Sequence, residues 1–141
     1  MLIPDRTFRL AIETMCECGQ GRNECVVFLV ESGDTGVLDV VHPVHRAASG
    51  GYEVDKGWLA RFAVRQTAEP LAIRAQMHTH PGEAFHSGID DEWPMVGTAD
   101  FISIVVPRFG QGIIEPDDIY ACRLTNEGDW EPLEPTSLFG T

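Results

Sequence analysis

A largely apolar strand that ends in two histidines is the feature that most constrains how this chain folds. Residues 71–77 form the apolar run, and the predicted strand, 71–78, ends at His78, with one residue between His78 and His80. Pro81 and Gly82 then stop the strand and turn the chain. Alternate residues of an extended strand project from the same face, so both imidazoles point the same way. The sequence therefore predicts two nitrogen ligands close enough to share one metal ion.

Two oxygen-bearing side chains follow the histidines at a spacing that suits the same ion. Ser87 and Asp90 lie beyond the turn, and a carboxylate that returns to the imidazoles completes a set of three ligands. Two neutral imidazoles and one carboxylate leave the fourth position of a tetrahedral Zn2+ open for water. This arrangement is typical of catalytic zinc, whereas a structural site closes all four positions. The predicted ligands are His78, His80 and Asp90.

The segment His78-Thr79-His80-Pro81, followed by Ser87-Gly88-Ile89-Asp90, resembles the His-x-His-Pro and Ser-x-x-Asp signature of the JAMM metalloproteases, also called MPN-plus or JAB proteins. That family places a catalytic Glu near the start of the strand after the first helix, and Glu24 before the apolar run 26–30 matches it. The three blocks occur in the family's order and span most of the chain. The resemblance implies that Glu24 transfers protons and that Ser87 donates a hydrogen bond to the oxyanion.

Two details depart from the family's pattern. Six residues separate His80 from Ser87, one fewer than is usual in the family. The Ser-x-x-Asp spacing assigns the third ligand to Asp90, whereas the distance from His80 assigns it to Asp91. We favour Asp90, because the Ser and the Asp must face the same ion together. Val26 stands where many relatives carry Gly, a position that concerns strand packing rather than chemistry.

The resemblance also implies a fold and a reaction. The fold is a single α+β domain with one mixed β-sheet flanked by helices, the JAB type that is similar to cytidine deaminases. The reaction is zinc-dependent hydrolysis of the amide bond after the C-terminal Gly of a ubiquitin-like protein, by deconjugation or precursor processing. Residues 98–107 look similar to short prokaryotic JAB proteins encoded with E1- and E2-like enzymes in conjugation operons, some of them antiviral. An alternative function is that of a peptidase that processes a sulfur-carrier protein.

Other enzyme classes fit the residues less well. A non-haem Fe(II) enzyme also binds its metal through two His and one carboxylate, but it gives no role to Glu24. A zinc nucleobase deaminase requires His-x-Glu with Pro-Cys-x-x-Cys, and the sequence has neither. A binding scaffold of the same fold without its metal is disfavoured, because every ligand type is present.

Length and charge limit the class of protein and its partners. The chain has 141 residues, enough for one domain with one core, and no run approaches the roughly 18 apolar residues of a membrane span. Ten basic and 22 acidic residues give a net charge of −12, which argues against nucleic acid or anionic membrane and favours a basic protein partner. The first residues show no signal peptide, so a cytoplasmic location is expected.

The sequence assigns no metal to the other cysteines and histidines. The four cysteines are Cys16, Cys18, Cys25 and Cys122. They contain no Cys-x-x-Cys pair, so buried or half-buried thiols are expected rather than disulfides or a zinc knuckle. His42 and His45 stand among Pro, Ala and Gly without a carboxylate partner, and we interpret them as ordinary polar side chains.

Hydrophobic periodicity predicts the elements in the order α, β, β, α, β, turn, β, β, β. The first helix, ending near Gly19, carries Phe8, Ala11, Ile12 and Met15 on one face. The remaining expected elements are strands 24–30 and 37–41, a loop over 42–52, a helix over 55–66, strands 71–78 and 101–106, a loop over 107–118, and a hairpin of 119–124 with 130–133. The domain is expected over residues 1–135, with a frayed tail at 136–141.

Overall fold

A computed structural model of the protein describes residues 2–48, 51–84 and 100–139. The helices are α1 (Asp5–Gly19) and α2 (Lys56–Ala68). The strands are β1 (Val26–Ser32), β2 (Leu38–Val41), β3 (His45–Ala48), β4 (Gly51–Val54), β5 (Leu71–Thr79), β6 (Ile102–Val106), β7 (Tyr120–Leu124) and β8 (Trp130–Leu133). Within these ranges no helix has the length and apolar character to cross a membrane.

Six of the strands form one mixed sheet in the order β2-β1-β5-β6-β7-β8. Strands β5 and β6 are parallel, and every other neighbouring pair in this sheet is antiparallel. Strands β3 and β4 pair separately as a two-stranded sheet. The predicted α+β fold with a mixed sheet and flanking helices is confirmed, as is the hairpin of β7 and β8.

The two faces of β1 look into two hydrophobic clusters because successive strand residues point in opposite directions. Cys25, Val27 and Leu29 pack with the predicted buried face of α1, which carries Phe8 and Met15. The alternate residues of β1 pack on the other side with Phe62 of α2; they are Val26, Phe28 and Val30. Alternate residues of β1 therefore face α1 and α2.

The predicted loop over residues 42–52 is wrong, because β3 and β4 form a hairpin there. Pro43 precedes β3 and so removes no hydrogen bond from the ladder, and Gly51 pairs with Ala48 inside it. Val54 at the end of β4 is buried in the cluster that contains Phe62. Proline and glycine are typical of loops, but Pro43 and Gly51 occupy positions that are compatible with a short strand pair.

The expected fraying after Pro135 is also wrong for the residues that the structure describes. Residues Pro135–Leu138 form a 3₁₀ turn, and the side chain of Leu138 is 5% exposed. The backbone N–H of Ile3 donates to the Leu138 carbonyl at 2.7 Å. The Phe139 ring packs edge-on against Phe8, with 4.8 Å between the ring centroids. Burial of these two apolar side chains against α1 outweighs the polar character of the segment.

Candidate metal centre

The pairing of β1 with β5 brings Glu24 to the two histidines. Val26 lies opposite His78 in an antiparallel register. The backbone N–H of Thr79 donates to the Cys25 carbonyl at 3.0 Å, so the pairing continues beyond the last ladder residue of β1. One residue further, Glu24 comes opposite His80. Glu24 and both histidines therefore share the sheet face that looks towards α2.

All three side chains are withdrawn from solvent. His78 is 0% exposed, His80 5% and Glu24 7%. The centroids of the two imidazole rings are 5.1 Å apart. A strand-end glutamate without a role is expected in water, because burying a carboxylate is costly unless it is compensated. The burial of Glu24 beside two imidazoles is therefore the arrangement of a polar site rather than of a surface loop.

The backbone at His80 is held on both sides. Its N–H donates to the Val106 carbonyl at 2.9 Å, and its own carbonyl accepts from the N–H of Phe109 at 2.9 Å. Two residues later the carbonyl of Gly82 accepts from the N–H of Arg108, also at 2.9 Å. The turn after β5 is thus bonded to the segment that follows β6, which fixes the direction in which the chain leaves the histidines.

The other predicted site residues lie outside the described part of the chain. They are Ser87, Asp90 and the alternative ligand Asp91, all between residues 85 and 99. Their roles remain predictions. Of the predicted site residues that the structure describes, His78 and His80 have adjacent rings, and the strand register puts Glu24 on the same face of the sheet.

Tyr52 is a neighbour of the site that the sequence did not reveal. Its ring centroid lies 5.4 Å from that of His78, and its hydroxyl accepts a hydrogen bond from the side-chain amide of Gln76. Tyr52 belongs to β4, inside the segment that was predicted to be a loop. An alternating pattern over so few residues, bounded by glycines, gave no signal strong enough to predict this contact.

The Thr79 side chain provides a testable support for the position of Glu24. Its hydroxyl oxygen accepts a hydrogen bond of 2.9 Å from the backbone N–H of Cys25, and both residues are fully buried. Thr79→Val leaves that N–H without its acceptor, so we expect the free energy of unfolding to fall by about 1–3 kcal/mol in chemical denaturation. The matched control is Thr67→Val, which removes an exposed hydroxyl within α2 and should change stability little. Equal stability of both variants would show that the Thr79 bond does not support this strand end.

A second group of potential ligands lies near the other face of β1. Its members are Cys18 in the last turn of α1, Cys25 just before β1, His42 just after β2 and His45 at the start of β3. We call these four residues the thiol–imidazole cluster. One ligand atom of each lies within 4.8 Å of every other, and the group could hold a metal ion. The sequence did not point to it, since its members lie in or next to four separate elements and only the fold brings them together.

The surroundings of two cluster members, Cys25 and His42, favour their neutral forms. Burial raises the pKa of the Cys25 thiol well above its usual range, and the neighbouring Cys18 raises it further. Burial lowers the pKa of the His42 imidazole, and the nearby His45 lowers it further. The expectation of buried or half-buried free thiols is confirmed for all four cysteines.

Comparison with known proteins finds a relative that is similar over about half of the chain and a solved structure with a similar fold. No model of a known protein family matches the chain. The protein named "Probable metalloprotease y4jG" of Sinorhizobium fredii (strain NBRC 101917 / NGR234) is 37% identical over 68 residues, which are 48% of this chain and 42% of that protein. The chain therefore covers less than half of this relative's length.

Among solved structures, the solution structure of protein DSY2949 from Desulfitobacterium hafniense is similar, with a TM-score of 0.60 and 10% sequence identity. The match covers 95% of this chain and 90% of that one. At this identity the likeness concerns the fold alone. The described part of the chain therefore has an architecture that is also seen in an experimental structure.

Proposed function

We propose that the chain is a zinc-dependent metallopeptidase whose reaction centre lies where β1 begins and β5 ends. The proposal rests on the strand register, which, continued past its last pair, aligns the buried Glu24 with His80, and on the 5.1 Å between the ring centroids of His78 and His80. A relative over about half the chain is named a probable metalloprotease, which supports hydrolysis assisted by a metal. The order of the motifs supports the same chemistry.

The donors present fit a zinc ion. Two imidazoles whose ring centroids are 5.1 Å apart suit neighbouring positions on one ion, and nitrogen is a preferred ligand of Zn2+. In this proposal Asp90 supplies the third ligand. When bound, the ion would lower the pKa of a water molecule towards neutrality and polarise the carbonyl of the amide.

The protein's own residues move the protons and hold the charge. Glu24 takes a proton from the attacking water and passes it to the nitrogen of the leaving amine, so one carboxylate serves both halves of the reaction. Its backbone neighbours are fixed by the bonds between Cys25 and Thr79, which limits the directions in which the carboxylate can point. Ser87 donates a hydrogen bond to the oxygen on which negative charge develops. No covalent bond to the enzyme forms.

The proposed substrate is the amide bond after the C-terminal Gly of a ubiquitin-like protein. The resemblance of the three motif blocks to JAB proteins supports this substrate, and deconjugation and precursor processing would use the same chemistry. The alternative substrate is a sulfur-carrier protein, whose amide bond after the C-terminal Gly would be cut by the same residues. The net charge of −12 favours a partner with a basic surface in either case.

Cleavage of extended substrates tests this function. The purified protein is incubated with ubiquitin-like and sulfur-carrier proteins that carry extra residues after Gly-Gly, with and without chelator. We expect cleavage after the second Gly, its loss with chelator and its recovery with added Zn2+. Cleavage that persists unchanged in chelator, or no cleavage of either class of substrate by zinc-loaded protein, would contradict the proposal.

The third ligand can be assigned by comparing two neighbouring carboxylates. Asp90→Asn is expected to release zinc from the reaction centre and to abolish cleavage, because it removes an anionic ligand of the ion. Asp91→Asn is the matched control and should keep the ion bound, with at most the smaller loss expected of a residue that orients a ligand. Zinc content and cleavage rate of the two variants are measured side by side. The reverse pattern would move the ligand to Asp91.

A further inference from the structure

We propose that the thiol–imidazole cluster is a second zinc site with a structural role, separate from the ion of the reaction centre. Two cysteines and two histidines fill all four positions of a tetrahedral ion and leave none for water or substrate, which is typical of structural zinc. Thiolate and imidazole are soft and intermediate ligands that favour Zn2+ over Mg2+ or Ca2+. The proposal does not depend on the peptidase function.

Two sulfur–nitrogen distances within the cluster are close to those expected around a bound ion. Zinc–sulfur bonds of about 2.3 Å and zinc–nitrogen bonds of about 2.0–2.1 Å at the tetrahedral angle place a sulfur and a nitrogen ligand about 3.6 Å apart. The Cys25 sulfur lies 3.3 Å from Nε2 of His42, and the Cys18 sulfur lies 3.5 Å from Nε2 of His45. Little movement is therefore needed for the four ligand atoms to surround one ion.

The hydrogen bonding of His45 is a second, independent sign of a ligand. Its Nδ1 lies 2.9 Å from the carbonyl oxygen of Pro43. A carbonyl only accepts, so Nδ1 carries the proton and the lone pair is on Nε2, the atom that faces Cys18. Histidines that bind metals commonly donate the other ring N–H to such a carbonyl, which fixes the tautomer and the orientation of the ring.

The position of the cluster explains what an ion there would do. It would join the end of α1, the start of β1 and the connection from β2 to β3. Cys25 and Glu24 are consecutive, and their side chains point to opposite faces of the sheet. A structural ion bound to Cys25 would therefore hold the strand end that carries the proposed catalytic carboxylate, from the opposite face of the sheet. His42 is exposed, which gives the ion a path to the site.

Hydrogen bonds from thiols to imidazoles would give similar distances without any metal, and counting zinc ions separates the two cases. After loading with Zn2+ and removal of the excess, the wild-type chain should hold about two ions. The double variant His78→Ala/His80→Ala should keep about one of them. The double variant Cys18→Ser/His45→Ala should lose one, whereas the control Cys122→Ser, which alters a buried thiol elsewhere, should lose none. Complete loss of zinc from the His78/His80 variant would overturn the proposal.

Two measurements on the unchanged protein decide the question even if a variant fails to fold. Protein loaded with Co2+ should show the charge-transfer absorption of sulfur bound to cobalt, which the reaction centre cannot produce because it has no thiolate. Zinc should also protect Cys18 from alkylation until a chelator is added. Cys16 is the matched control, since it is half-buried on the same helix and outside the cluster.

Each readout has an outcome that contradicts the site. Absence of the sulfur–cobalt band in metal-loaded protein, or alkylation of Cys18 at the same rate with and without zinc, would show that the thiols bind no metal. Neither readout uses peptidase activity, so an inactive chain with zinc in the cluster would refute the proposed function and leave this proposal standing.

Discussion

Glu24→Gln is expected to lower the rate of peptide hydrolysis by a factor on the order of 100 or more, while the zinc content stays unchanged. The amide of Gln keeps the size of the side chain but cannot take up a proton at neutral pH. In the proposed mechanism Glu24, two residues before β1, acts on the attacking water and on the leaving amine and is not a ligand of the ion. The change should therefore appear in turnover and not in metal binding.

The matched control for this variant is Glu31→Gln, in the strand β1 that follows Glu24. Glu31 pairs with Arg74 at 3.6 Å, and both side chains are more than a third exposed, so losing the pair should change activity little. Zinc content is measured on the same samples as the rates. A Glu24→Gln variant with turnover comparable to the wild type would remove Glu24 from the mechanism, and one that loses its zinc would make Glu24 a ligand.

His78→Ala should reduce cleavage to the uncatalysed rate and lower the zinc content by about one ion per chain. Removal of one of two imidazoles leaves the reaction centre with too few ligands to retain the ion. The ring is fully buried, so the variant also leaves a cavity and should unfold more easily than the wild type. Zinc content, cleavage rate and thermal midpoint are compared in parallel.

Arg74→Ala is the control for this second variant, because it changes the same strand at a partly exposed position. The Arg74→Ala variant should have the zinc content and the cleavage rate of the wild type. The ion that we propose in the thiol–imidazole cluster lies near the other face of β1, so it should remain in the His78→Ala protein. Retention of full cleavage activity by His78→Ala would rule out the proposed reaction centre.

Local periodicity was enough to predict most of the fold. The buried face of α1 and the apolar strands β1, β5 and β6 repeat at helical and strand spacing over enough residues for the pattern to be clear. The alternation around His78 and His80 correctly placed both rings on one face. What the pattern could not predict was the order of the strands, because pairing partners depend on packing between distant segments.

The failures have the same physical origin. The hairpin of β3 and β4 is short and contains Gly51, so its strand character comes from pairing and from Val54 packing near Phe62 rather than from propensity. Leu138 is held by contacts with the beginning of the chain. Both are held by pairing and packing rather than by local propensity, and the contact of Leu138 with Ile3 joins residues that no local window contains.

The thiol–imidazole cluster was missed for a related reason. The two cysteines flank the turn between α1 and β1, and His42 and His45 flank Pro43, so neither pair has the short spacing of a familiar zinc motif. The sequence nonetheless held one indication of the cluster, since the cysteine pair and the histidine pair each lie at or beside the ends of helices or strands. Only the antiparallel pairing of β1 with β2 brings one pair next to the other.

Anomalous diffraction at the zinc absorption edge, from crystals of the zinc-loaded protein, tests the proposed reaction centre most directly. We predict a peak about 2.0–2.1 Å from a ring nitrogen of both His78 and His80, with the Glu24 carboxylate outside bonding distance of it. A peak confined to the thiol–imidazole cluster, no peak at the two histidines, or a zinc ion bonded to Glu24 would contradict the proposed centre.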